Sequence, residues 1–175
     1  MALPPLMLGG VPIVLHAGAP EESIEPIGGN SLLRMSGGAA VKQQHWSRSA
    51  GSINGAGWMP PGLEGLEYTG PLELRSTKVQ NQAGAGPTFN LAGTPRPDYA
   101  PWGMALVGRD WVDVPSSYEP GEDGGPGVLT IPPVPGATLY MASWLPVFSV
   151  FANKPGGSQS AATANHSWSI TWEEA

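Results

Sequence analysis

Residues 31–46 read Ser-Leu-Leu-Arg-Met-Ser-Gly-Gly-Ala-Ala-Val-Lys-Gln-Gln-His-Trp. Two strand-like runs flank a Ser36-Gly37-Gly38 turn. A three-residue loop with glycine at a positive-φ position is a favoured hairpin connection. With that loop, Met35 faces Ala39 and Leu33 faces Val41, which makes one face apolar. Arg34 then pairs with Ala40 and Leu32 with Lys42, which makes the other face mixed. A slip of one residue would exchange the faces, so the pattern predicts a fixed register.

Other short apolar runs bounded by turn formers extend the β reading outward from this hairpin. They are Val11–His16, Ser52–Trp58, Leu72–Thr77, Thr88–Leu91, Met104–Val114, Val128–Ile131, Thr138–Phe151 and Ser167–Trp172. The last alternates, placing Trp168, Ile170 and Trp172 on one face, and predicts a closing strand that returns to the first sheet. Pro146 predicts a bend within Thr138–Phe151. No stretch sustains a 3.6-residue apolar period beyond a few turns, and only Pro60–Leu66 is a candidate helical turn. The expected fold class is all-β, an antiparallel β-sandwich or barrel with long irregular loops.

The 175 residues fit a single β domain with a loop-rich second half, and a division into 1–78 and 79–175 is the alternative. Gln80–Pro101, Tyr118–Gly127 and Lys154–Asn165 read as its long loops. The 25 Gly and 20 Pro are spread between the apolar runs, as punctuation of many short strands. Only 13% of residues are charged, a low share for an isolated soluble monomer. That scarcity predicts a surface largely covered by partners.

Composition also bears on function. A net charge of −6 with eight basic residues argues against nucleic-acid binding, which needs clustered Lys and Arg. Zero cysteine excludes disulfides and thiolate metal sites. The apolar N-terminus lacks a basic n-region and is interrupted by Pro and Gly, so neither a signal peptide nor a membrane span is expected.

The search for chemistry finds no enzyme motif and no cofactor site. His16, His45 and His166 have no metal-ligand spacing. Serines, these histidines and Asp98, Asp110, Asp113 or Asp123 could be assembled into a triad on paper, but no G-x-S-x-G elbow is present. The glycine pairs do not match phosphate-binding loops. Glu119, Glu122 and Asp123 are neighbours in one acidic loop rather than carboxylates across a cleft. That loop lacks the alternating oxygen ligands of an EF-hand calcium site. Seven tryptophans are many for this length. They suit a core or an interface first, and a sugar-stacking platform second.

The N-terminal half resembles small tail proteins of long-tailed bacteriophages, of the tail-tip or baseplate kind. The stretches that carry the resemblance are Gly10-Val-Pro-Ile-Val-Leu-His-Ala-Gly18, Pro26-Ile-Gly-Gly-Asn-Ser-Leu-Leu-Arg-Met-Ser-Gly-Gly38 and Val41-Lys-Gln-Gln-His-Trp-Ser47. Gly55-Ala-Gly-Trp-Met-Pro-Pro-Gly-Leu63 and Leu72-Glu-Leu-Arg75 continue it, for a span of about residues 8–78.

The resemblance implies a β-rich virion structural protein, made in the bacterial cytoplasm and built into a tail. It would form a ring of its own copies beside tail-tube, hub or fibre proteins. Heterologous contacts that close by rotation generate such rings. Ala2–Gly10, Gln80–Pro101 and Glu119–Gly127 are expected to reach over neighbours. Arg34, Lys42, Trp46, Trp58, Trp102 and Trp111 are the expected interface residues. The two cations are expected to meet an acidic patch on an adjacent subunit. A carbohydrate-binding module reading host glycans through exposed tryptophans is the alternative. A β-rich hydrolase is a third reading, and it requires carboxylates or histidines to converge in a cleft.

Overall fold

The computed structural model describes residues 3–175, apart from the side chain of Asp123. The protein is all-β, and its pairings are antiparallel. In chain order the strands are β1 (Met7–Leu8), β2 (Val11–Pro12), β3 (Glu21–Arg34), β4 (Ala40–Gly57) and β5 (Leu72–Arg75). Then come β6 (Gln80–Gly84), β7 (Thr88–Asn90), β8 (Trp102–Val107), β9 (Asp110–Val114) and β10 (Ser117–Glu119). The last five are β11 (Val128–Thr130), β12 (Ala137–Trp144), β13 (Val147–Ala152), β14 (Gly156–Ser160) and β15 (Asn165–Glu174).

The chain divides into two compact units, each made of two segments. One is Met1–Met7 with Leu74–Phe148, and the other is Leu8–Glu73 with Ser149–Ala175. The closing strand thus belongs with the first half of the sequence, and the units do not follow a cut at 78/79.

In the first unit, the sheet β6-β12-β8-β9 and the sheet β10-β11-β7 share one core. Its centre is Phe89, Leu91, Ala105, Leu129, Ile131, Tyr140, Ala142 and Trp144. This is a two-sheet sandwich. Gln80–Pro101 is correspondingly not a free loop: it contributes β6, β7, Phe89 and Leu91. The expected strand Met104–Val114 is a hairpin that turns at Gly108, whose φ of +66° suits glycine.

In the second unit, β15 runs down the middle of a sheet. β4 and then β3 lie on one side of it, and β13 and β14 lie along the other. The alternation of β15 sends Trp168, Ile170 and Trp172 into the core and Ser167, Ser169, Thr171 and Glu173 to the surface. The buried tryptophans stand across from glycines: Trp168 pairs with Gly55 and Trp172 with Gly51, while Ile170 meets Ile53. A Cβ on Gly55 would come within 2.7 Å of the Trp168 ring, and one on Gly51 within 2.9 Å of the Trp172 ring. The glycines leave room for indoles to lie flat over the neighbouring strand.

Several expected elements differ. Val11–His16 is a strand only to Pro12, and Leu15–Ala17 forms a 3-10 turn. That turn presents the Ala17 carbonyl to the Trp168 indole, whose Nε1 donates at 2.7 Å. Pro60–Leu66 holds no helix, only turns closed by Leu66 N–H to the Leu63 carbonyl. Thr138–Phe151 is two strands, broken at Leu145-Pro146 as Pro146 predicts. Lys154–Asn165 is not wholly loop, since Gly156–Ser160 pairs with the first half of β15. Ala2 lies outside the described residues. Leu6 and Leu8 are fully buried, so the stretch that follows it is no free arm.

Candidate interaction surface

The hairpin around Ser36-Gly37-Gly38 is present in the expected register. Leu33 pairs with Val41, Arg34 with Ala40 and Leu32 with Lys42. Met35 N–H bonds the Ala39 carbonyl at 2.9 Å, Gly38 N–H bonds the Met35 carbonyl at 2.8 Å, and Gly38 sits at φ +81°. The turn and the residue pattern specify the same alignment.

Its surroundings are not those of a buried face. β4 pairs with β15 only as far as Ala50, and among the described residues no strand pairs the outer edge of β3. Beyond that point, β3 and β4 continue as a two-stranded arm of residues 28–48. Every residue of it is exposed except the half-buried Gly29 and Ser31. From Gly28 to the turn the arm extends about 25 Å, at roughly 3.3 Å per residue.

The arm has two distinct faces. A bulge opposite Gly29 and Asn30 inserts His45 as the extra residue, so that Trp46 pairs with Gly29 and Gln44 with Asn30. This puts Trp46 on the side of Leu33, Met35 and Val41, and its ring covers Gly29. Without the bulge, Trp46 would share the side of Lys42 and Gln44. The exposures are 53% for Leu33, 61% for Met35 and 52% for Trp46. The opposite face carries Asn30, Leu32, Arg34, Lys42 and Gln44, with Leu32 60% exposed. Arg34 donates only to the Gly38 carbonyl, at 3.3 Å. The ion pairs among the described residues involve Arg75, Arg96 and Lys154 rather than Arg34 or Lys42.

Trp58 lies just past the other end of β4. It is 67% exposed and edge-on to His16, and its chain neighbour Met59 and the residues before His16, Val14 and Leu15, are exposed too. Trp111 is exposed on edge strand β9, and Trp102 is half-buried beside Tyr99. Of the four expected interface tryptophans, Trp46, Trp58 and Trp111 are exposed and Trp102 is half-buried, while Trp144, Trp168 and Trp172 are core. Trp46 lies within β4 and Trp58 just past its end, about 40 Å of strand apart, so these two cannot form one sugar-stacking platform.

The expected chemistry residues are scattered. His45 is on the exposed arm, His16 is against Trp58, and His166 is the second residue of β15, opposite Gly57. Glu119 ends β10 and Glu122 lies in a 3-10 turn. Asp123, whose side chain is outside the described residues, shares that turn. Among the described residues, no three of His, Asp and Glu come together. No helix among them is long and apolar enough to cross a membrane.

One charged group is buried for structural reasons. Arg96 is 1% exposed. It grips Asp98 through Nε and an Nη at 2.7 and 2.8 Å, and donates to the Ser76 and Pro5 carbonyls at 3.2 and 3.0 Å. The hydrogen bond from Arg96 holds the Asp98 carboxyl below its ordinary range. Sequence reading did not single out Arg96, and the only signal was an arginine held between two prolines, Pro95 and Pro97. No protein-family model matches the chain, and no curated protein matches it either.

Proposed function

We propose that the chain is a structural protein that works by assembling with its own copies, as a ring or adaptor in the tail tip or baseplate of a long-tailed bacteriophage. The observation that carries the assembly reading is the arm of residues 28–48. A two-stranded ribbon standing alone in water is marginal at best. Its bare edges invite pairing. This one adds exposed Leu32, Leu33, Met35, Val41 and Trp46. Such a feature is stable and soluble when a partner covers it.

The exposed side chains of Val14, Leu15, Trp58 and Met59 support the same reading. Apolar surface at both ends of β4 suits head-to-tail contacts, which close into rings or run on as filaments. The low content of charged residues agrees with a chain that spends its working life in contact. The tail-tip placement rests on the resemblance of residues 8–78.

Antibody raised against the purified chain and imaged on tailed phage particles tests that placement. Labelling at the distal end of the tail is the expected result. Unlabelled particles, with the antigen confined to the soluble fraction of the lysate, would refute it.

A further inference from the structure

The surface side of the second unit's sheet is a trough of small polar residues, with hollows of about 750 and 490 Å³. Its floor is built in rows across the strands. Glu21, Asn54, Ser169 and Gly156 form one row, and Ser23, Ser52 and Thr171, with Asn153 beside it, form the next. The third row is Glu25, Ala50, Glu173 and Phe151. Hydroxyls and amides of the floor bond one another: Ser23 with Ser52 at 2.9 Å, Asn153 with Thr171 at 2.8 Å, and Asn54 with Glu21 at 3.3 Å. Small side chains let another backbone approach closely. The charged side chains lining the trough, Glu21, Glu25 and Glu173, are all carboxylates, and Phe151 beside Glu173 is 51% exposed.

We infer that this trough receives the arm of a second copy of the chain, with the mixed face of the arm lying down on it. This inference rests on the self-assembly reading and names its contact surfaces. Charge selects the occupant, since the mixed face carries Arg34 and Lys42, and the third row carries Glu25 and Glu173. Spacing agrees as well. Arg34 and Lys42 stand on neighbouring strands one row apart, about 8 Å between Cα atoms, and Glu25 and Glu173 stand two strands apart, about 10 Å. Long Arg and Lys side chains span the difference.

The arm's mixed face continues the side of its own sheet that covers the core, whereas the trough is the opposite side. Copies therefore overlap like roof tiles, each arm on the next trough, in a heterologous contact.

The test uses the full chain and two double variants, Arg34→Glu with Lys42→Glu and Glu25→Lys with Glu173→Lys. All four positions are at the surface, and thermal unfolding checks that each variant folds. Sedimentation of each variant alone should show association weakened at least tenfold. Mixing the two should restore it, because the reversed arm then fits the reversed trough. A Glu25→Gln, Glu173→Gln variant should weaken association by a smaller factor. If wild type associates and the trough variants associate equally well, or if mixing does not rescue, the arm docks elsewhere and only this inference falls. If wild type stays monomeric at every concentration, the self-assembly reading falls with it.

Discussion

Trp168 lies directly across from Gly55, and its indole occupies the space that a β-carbon on residue 55 would need. The same relation recurs between Trp172 and Gly51. The core of the second unit is thus a strand of large residues laid on a strand with gaps. Gly55→Ala should destabilise the protein by about 2 kcal/mol, in the range of overpacked cores. The control is Gly65→Ala, where an added methyl meets nothing within 4 Å and the change should stay within about 0.5 kcal/mol. Urea unfolding of the two variants checks both.

Arg96 ties together three stretches of the first unit: Pro5, Ser76 and Asp98. Arg96→Met should cost about 3 kcal/mol, because it strips donors from two carbonyls and leaves Asp98 without its main partner. Arg96→Lys should rescue only part of this, since an ammonium cannot make the paired contact with both carboxylate oxygens. The change in unfolding midpoint reads both variants.

The pH response follows from the same pair. The Asp98 carboxyl is held below its unfolded value by the hydrogen bond from Arg96. Its contribution to stability is therefore present above about pH 4, the unfolded carboxyl range, and is lost as pH falls through the lower folded value. Asp98→Asn should unfold more easily than wild type at pH 6, and the gap should close as the pH drops below 4. A gap that is constant from pH 6 to pH 2.5 would contradict the assignment.

The arm should be the least protected strand pair in a dilute monomeric sample. Amides of residues 30–34 and 40–44 should exchange within seconds in such a sample, and at least tenfold more slowly at concentrations where the protein assembles. Those of Ile53 and Ile170, in the core of the sheet, should be protected in both. Equal protection of the arm in both states would mean that it needs no partner.

Much of this fold is legible in the sequence where side chains alternate and turns are strongly marked. The Gly37-Gly38 turn and the parity of Leu33 and Val41 specify the hairpin register, and Trp168, Ile170 and Trp172 specify the closing strand. What parity cannot say is whether an apolar face has anything to cover it, and the face of Leu33, Met35 and Val41 is exposed along the chain itself. Gly156–Ser160 and Gln80–Gly84 lack β-forming side chains; they are strands because β15 and β12 offer them open edges. The burial of Arg96 depends on carbonyls 20 and 91 residues away, which no local pattern reveals. The trough is equally invisible as a unit, because its rows collect residues from β3, β4, β13, β14 and β15.

In the proposed assembly the arm is covered by another subunit. The most direct measurement is the sedimentation mass of the purified full chain beside a Leu32→Ser, Leu33→Ser, Met35→Ser, Val41→Ser variant, which strips the apolar side chains from both faces of the arm. Wild type should sediment at a defined multiple of the single-chain mass and the variant should shift to single chains, with the rest of the fold intact by circular dichroism. Wild type at the single-chain mass across the whole concentration range, or a variant that assembles as wild type does, would contradict it.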